Sequence, residues 1–161
     1  MKLDRDEISE LWDKITPKLY GYLVNSLKDK GVADDILQNT WFKAIEALPR
    51  FEDRGLGINA WIFSIARNEM RMYWRTSGRN VSLDEDLHDV PVDYKNDIEN
   101  KLFLDQILTS LSSGEQELIR LRYIADLSMA EIAKLLNKSP IAIRVSLHRA
   151  LSRARMVVSK K

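Results

Sequence analysis

The sequence predicts an all-α protein made of two small helical domains joined by a flexible acidic linker. Three observations predict it. Apolar residues recur every three to four positions through most of the 161 residues; glycine and proline are scarce, at 6 and 4; and one stretch, Ser77–Asn96, breaks the helical period. A stretch of that length without regular structure argues against one compact domain and for two joined by a tether. The expected division is 1–76, a linker 77–98, and 99–161.

Helices are expected at Arg5–Asp29, Val32–Leu48, Asn59–Thr76, Asp97–Leu111, Ser113–Ile124, Met129–Leu136 and Pro140–Val158. The second, VADDILQNTWFKAIEAL, has Leu37, Trp41, Ala44, Ile45 and Leu48 as its buried stripe. Asp35, Gln38, Asn39, Phe42 and Glu46 are left on the outer arc. A solvent-facing Phe42 among polar groups points to a protein contact, unless it tucks under a neighbouring helix.

The third helix, INAWIFSIARNEMRMYWRT, places Arg67, Arg71 and Arg75 at four-residue intervals along one stripe, with Tyr73 and Trp74 near its end. Before it runs the loop Pro49–Gly57, holding Arg50, Phe51 and Arg54 among flexible glycines. Cations interleaved with aromatic rings beside such a loop suit unstacked bases, each with a face to stack and a phosphate to neutralise. The simpler alternative makes Trp61, Ile62, Ile65 and Ala66 core and the arginines a solvated stripe.

Beyond the linker, Ser112-Ser113-Gly114-Glu115 is a capping box opening the helix that carries Leu118, Ile119, Leu121 and Tyr123. A second capping box, Ser128-Met129-Ala130-Glu131, starts a short helix that buries Ile132, Ala133, Leu135 and Leu136 and stops at Asn137, which tolerates a left-handed conformation. Ser139 then caps a longer helix with Pro140 at its first position, where a missing amide hydrogen costs nothing. Short helix, tight turn and long helix make a helix-turn-helix. On its last helix Ile143, Leu147, Ala150, Leu151 and Ala154 face the preceding helices. Ile141, Val145, His148, Arg149 and Ser152 face outward, flanked by Arg144, Arg153 and Arg155. Arginines can clamp phosphate or pair with guanine, while aliphatic groups can meet thymine methyls.

Charge separates the segments. Met1–Thr76 balances twelve Lys/Arg with twelve Asp/Glu, Ser77–Lys101 has three against seven, and Leu102–Lys161 has ten against five. The overall +1 thus hides a neutral, an acidic and a basic segment. From Lys138 onward there are seven cations and no acid, the electrostatic footprint of a phosphate-binding surface. A solvated basic tail is the bland alternative.

The chain has no cysteine, so disulfides and thiolate metal sites are excluded. Its two histidines, His88 and His148, have no carboxylates at a metal-binding spacing, and neither a metal nor a cofactor is expected. No apolar run approaches twenty residues, and Met1–Asp13 alternates charges with isolated Leu and Ile, unlike a signal peptide. A soluble cytoplasmic protein without membrane insertion is expected.

In this order the segments resemble sigma factors of the extracytoplasmic-function group, group IV of the sigma-70 family, compact bacterial initiation factors that keep regions 2 and 4. ADDILQNTWFKAI is similar to the region 2 segment that binds core polymerase, and AWIFSIARN to the promoter-melting helix. LSSGEQELIRLRYIADLSMAEIAKLLNKSPIAIRVSLHRALSRAR is similar to the whole of region 4. The resemblance implies that Asp35, Gln38, Asn39 and Phe42 meet the β′ coiled coil of RNA polymerase core. It implies that Arg50, Phe51, Arg54, Asn59, Trp61, Arg67, Asn68, Arg71 and Arg75 capture a flipped base and the non-template strand of the minus-ten element. Region 4, near the β flap, would place Ser139, Ile141, Ala142, Arg144, Val145, His148 and Arg149 on the minus-thirty-five duplex of promoter DNA. Melting would draw on binding energy without nucleotide hydrolysis. An anti-sigma factor that covers these faces, and that can hold the protein at the membrane, is a further implied partner.

Four positions depart from the usual pattern: Asn39 where an acid is common, Met72 where Asp is frequent, Lys138 where an aliphatic is usual, and Ser146 where Arg is frequent. Two other functions fit parts of the sequence. One is a helix-turn-helix repressor or activator with a helical dimerisation domain; the other is a DNA recombinase or nuclease using Asp34, Asp35 and Glu46, which lack accompanying catalytic chemistry.

Overall fold

A computed structural model describes residues 2–77 and 105–159, and among these all regular structure is helical. The expected tether Ser77–Asn96 lies outside the described residues except for Ser77, as does the first part of the expected helix Asp97–Leu111; residues 105–109 are helical.

Helix α1 (Arg5–Leu27) begins in a capping box, with Asp4 accepting from the Glu7 amide and Glu7 from the Asp4 amide. It ends where Lys28 turns left-handed, φ 57°, two residues before the expected stop. Asp29 then caps α2 (Lys30–Ala47) by accepting from the Val32 amide at 3.1 Å, so an acid assigned to the end of one helix starts the next. After a 3₁₀ turn (Leu48–Arg50), the loop closes on Asp53, whose Oδ1 accepts from the amides of Gly55 and Gly57. Helix α3 (Ile58–Thr76) follows. Leu19, Tyr22 and Leu23 of α1, Ala33 of α2, and Ala60, Ile62, Phe63 and Ala66 of α3 are almost fully buried. The rings of Tyr22 and Phe63 meet edge to face at 5.5 Å.

The buried arc of α2 is centred on Ala33, Ile36, Thr40, Trp41 and Ala44. Ile45, expected inside, is 45% exposed. Thr40, polar and left out of the expected stripe, is buried because its hydroxyl donates to the Ile36 carbonyl at 2.7 Å, which removes the cost of burying it. That rotates the buried face away from Ile45.

In the C-terminal half, α4 (Ser113–Ile119) starts at the expected capping box and passes into a π-helical turn, Arg120–Ile124. The wider turn places Arg120 and Leu121 inside, whereas Tyr123, grouped from sequence with the apolar Leu118, Ile119 and Leu121, lies outside at 58% exposure. Helix α5 (Met129–Leu135) also starts at its expected capping box. It closes in a Schellman turn: Asn137 has φ 55°, the Lys138 amide donates to the Ala133 carbonyl at 2.9 Å, and the Asn137 amide to the Lys134 carbonyl at 3.2 Å. Helix α6 (Pro140–Ser159) then runs with Ile143, Leu147 and Ala150 against α4 and α5, and Leu151 and Ala154 half-buried.

The two halves share one hydrophobic core, with Leu118, Leu121, Leu127 and Ile132 continuing the cluster of Leu19, Tyr22 and Phe63. Polar contacts pin the junction. Arg120, 2% exposed, donates to Asn25 Oδ1 at 2.7 Å and to Gln116 Oε1 at 3.1 Å. Glu117 accepts from the Tyr22 hydroxyl and from Arg67 Nε, the latter at 3.0 Å. Lys18 pairs with Asp126 at 3.0 Å, and Lys134 donates to the Gly55 carbonyl at 2.6 Å. Glycine suits position 55 because its φ is 91°, a conformation that strains any L side chain, and an added Cβ would also push the Lys134 ammonium away from its carbonyl partner.

Candidate nucleic-acid interface

The helix-turn-helix gives α6 two unlike faces. Its inner face is spent on packing, and its outer face presents Ile141 at 73% exposure and Val145 at 43%, together with exposed Ala142, Arg144, His148 and Arg149. At the start of the helix, Ser139 Oγ accepts from the Ala142 amide at 3.1 Å, fixing the direction in which this face emerges from the turn. Arg153, expected among the flanking cations, is ion-paired with Glu115 and braces α6 on α4. The seven sequence-predicted residues from Ser139 to Arg149 therefore lie together at the exposed N-terminal half of one helix.

The second group is more divided. Phe51 is 8% exposed and packs on Trp61, ring centroids 4.5 Å apart, so this aromatic anchors the loop instead of standing open. Arg50 is exposed, and Arg54 is exposed beside Glu52 at 3.2 Å. A cleft of 500 Å³ between α2 and α3 brings together Trp61, Asn68, Arg71 and Arg75, with Lys43 and Met72 on its wall. Asn59 is half-buried at the start of α3.

Arg67 does not share that cleft. Each four-residue step along a helix advances about 40°, so Arg67 and Arg75 point about 80° apart. Arg67 faces instead a cleft of 560 Å³ between the halves and ends on Glu117. Arg71 touches both clefts. The straight arginine stripe of the sequence is a winding one, and its first member is engaged by the C-terminal half. This partner was not foreseeable from sequence, because it lies 50 positions away.

On α2, Asp35, Gln38, Asn39 and Phe42 are all exposed on one arc, with Phe42 at 71%. Ile45 joins them at 45%, and Trp12 of α1, 39% exposed, stacks on Trp41 at 4.7 Å. The outcome is a broader apolar surface than the single phenylalanine predicted from sequence. Exposed aromatic and aliphatic side chains clustered among polar groups mark a protein-contact surface.

Among the described residues no group of His, Asp and Glu stands together in a way that could hold a metal ion, and no helix is long and apolar enough to cross a membrane.

Residues 11–80 match the family described as Sigma-70 region 2, and residues 104–153 match Sigma-70, region 4. The chain is 27% identical over 154 residues to the RNA polymerase sigma factor YlaC of Bacillus subtilis, covering 91% of this chain and 88% of that protein. It is 25% identical over 156 residues to the ECF RNA polymerase sigma factor BldN of Streptomyces coelicolor, covering 92% of this chain but only 59% of that longer relative. Among solved structures, the sigma factor RpoE of Bartonella quintana, crystallised with the anti-sigma factor NepR, superposes with a TM-score of 0.75 at 24% identity, covering 96% and 98% of the two chains. That likeness speaks for the fold.

Proposed function

The chain belongs to the sigma-70 family, and from that premise we propose that it is an RNA polymerase sigma factor of the extracytoplasmic-function type, a regulatory subunit that directs core polymerase to specific promoters. The observation that carries this reading is the pairing, in one chain, of an exposed Phe42 arc on α2 with an exposed, acid-free recognition face on α6.

Each surface has a role in this reading. Asp35, Gln38, Asn39 and Phe42 dock on the β′ coiled coil, with Ile45 adding apolar area. Trp61, Asn68, Arg71 and Arg75 hold the non-template strand of the minus-ten element, and Arg50, Arg54, Asn59 and Phe51 shape the loop that receives a flipped base. Ser139, Ile141, Ala142, Arg144, Val145, His148 and Arg149 lie on the minus-thirty-five duplex, with the C-terminal half near the β flap. Residues 1–76 and 99–161 are the two functional halves. Strand separation draws on binding energy alone, so the protein is not itself an enzyme.

Arg67 enters this machinery only when Glu117 lets it go, so the halves separate on joining polymerase. An anti-sigma partner that holds them together would keep the protein inactive. The working location is the cytoplasm, with any membrane attachment supplied by that partner. A free-standing repressor or activator is not favoured, because it leaves the Phe42 arc and the minus-ten cleft without a use.

The test is reconstitution of the full chain with bacterial core polymerase on a pooled promoter library. Sequence-dependent initiation that requires the chain is expected. Binding of duplex operators by the chain alone, with no association with core polymerase, would overturn the reading.

A further inference from the structure

We infer that Ile141 and Val145 read thymine methyl groups in the upstream promoter element, so that this protein prefers a T-containing minus-thirty-five sequence. The inference rests on the sigma-factor reading and names the base chemistry that its recognition helix selects.

The fold does not use these two side chains. The packed face of α6 is supplied by Ile143, Leu147 and Ala150, at 1%, 5% and 0% exposure, whereas Ile141 is 73% and Val145 43% exposed. Aliphatic groups held in water at the tip of a helix gain free energy by meeting an apolar surface. The surroundings identify that surface. Exposed Arg144 and Arg149 share this half of the helix, and no Asp or Glu follows Lys138. An apolar pair framed by cations suits a partner that is polyanionic at its rim and offers methyl groups within, which describes the major groove of duplex DNA at thymine.

Geometry adds a spacing. Four residues of α-helix advance about 6 Å along the axis, and stacked bases in one strand are about 3.4 Å apart. A helix whose first turns lie along the groove would therefore set Ile141 and Val145 over methyls roughly two base pairs apart. Ala142, exposed between them and too small to exclude a base edge, leaves room for both contacts.

The test uses holoenzyme reconstituted from the full chain and core polymerase, on a duplex promoter taken from the selected library. Thymidines of the upstream element are replaced singly by deoxyuridine, which removes only the methyl group. Each methyl in contact should be worth about four-fold in affinity, the value of one buried methylene-sized group. The same replacement should cost nothing at one of the two positions in holoenzyme carrying Ile141→Ser, and nothing at the other with Val145→Ser. Both side chains are exposed, so these variants keep the fold.

If promoter binding depends on the upstream sequence but no deoxyuridine replacement weakens it, the inference is overturned and the sigma-factor reading stands. Loss of core-polymerase binding in the two variants, with the response to deoxyuridine unchanged, would make the pair a protein contact and also overturn it. Absence of any promoter-dependent initiation would overturn the sigma-factor reading itself, and this inference with it.

Discussion

Arg120 Nε donates to Asn25 Oδ1 at 2.7 Å, tying the π-helical turn of the C-terminal half to α1 of the N-terminal half. Burial pushes the guanidinium pKa down, and nearby Glu117 opposes that shift, so the charge persists inside the protein. Its stability depends on having acceptors. Replacing Asn25 by Ala removes one and should cost about 1–3 kcal/mol in urea unfolding. In an Arg120→Met background the same replacement should cost much less, since no buried charge is left unsatisfied. Additive costs in the double mutant would show that the two residues are not coupled.

Glu117 decides whether Arg67 is available. Its carboxylate accepts from Tyr22 and from Arg67, whose side chain is only 15% exposed. Glu117→Gln keeps an acceptor for Tyr22 and removes the charge that holds Arg67. The isolated chain should then bind a single-stranded oligonucleotide about five-fold more tightly, corresponding to release of roughly 1 kcal/mol of ion pairing. Fluorescence anisotropy measures this; equal affinity of wild type and variant would mean that Arg67 is not withheld.

Tyr22 gives the same junction an alkaline limit. Burial first, then the charge of Glu117 and the hydrogen bond to it, hold the phenol pKa well above its ordinary value of 10.0. The unfolded chain releases this proton near pH 10 and the folded chain only at much higher pH. The stabilisation is therefore complete below about pH 10 and is lost as pH rises beyond it. Wild type should lose up to about 1.4 kcal/mol per pH unit there from this group. Tyr22→Phe should lack that component of the slope. Tyr20, raised by burial and by Asp34, contributes in the same direction to both proteins.

The local structure was more legible than the junction. Ser112, Ser128 and Ser139 each cap the helix assigned to them, because capping depends on residues three apart. The two faces of α6 followed from helical periodicity for the same reason. Thr40 misled the reading of α2 because a hydroxyl bonded to the preceding turn is no longer polar in effect. Arg120 and Arg67 were beyond reach, since their acceptors Asn25 and Glu117 lie 95 and 50 positions away. From sequence Arg67 belonged to a stripe facing unstacked bases and Arg120 was not singled out; what each holds depends on how the halves meet. The π-helical turn that carries Arg120 inward had no signal in the pattern.

Phe42 separates binding from folding. At 71% exposure it contributes little to the core, so Phe42→Ala should change stability by less than about 0.5 kcal/mol. In the proposed interface it is the large aromatic at the centre of an exposed arc, the kind of residue that dominates a contact. Affinity for core polymerase should fall by about ten-fold or more. Titration of labelled core polymerase with wild type and variant measures it. A large loss of thermal stability would instead place Phe42 in the fold, and unchanged affinity would move the polymerase contact off α2.

Arg149 tests the phosphate side of the recognition helix. It is exposed on the same half of α6 as Ile141 and Val145, and no acid of the chain follows it. A guanidinium on a phosphate displaces a condensed counterion, so its removal should weaken binding to every duplex and flatten the dependence of log K on log salt by about 1. A guanidinium paired with guanine O6 and N7 would behave otherwise: Arg149→Ala would cost about 1–3 kcal/mol at one base position and relax specificity there. Arg149 lies one helical turn beyond Val145, within the run from Lys138 that holds seven cations and no acid, a distribution that favours a general grip on phosphate. The phosphate outcome is therefore expected, measured as promoter affinity of the holoenzyme between 50 and 200 mM salt, roughly the range over which counterion effects are large. An unchanged salt slope with a single altered base preference would assign Arg149 to base reading and leave the phosphate contacts to Arg144.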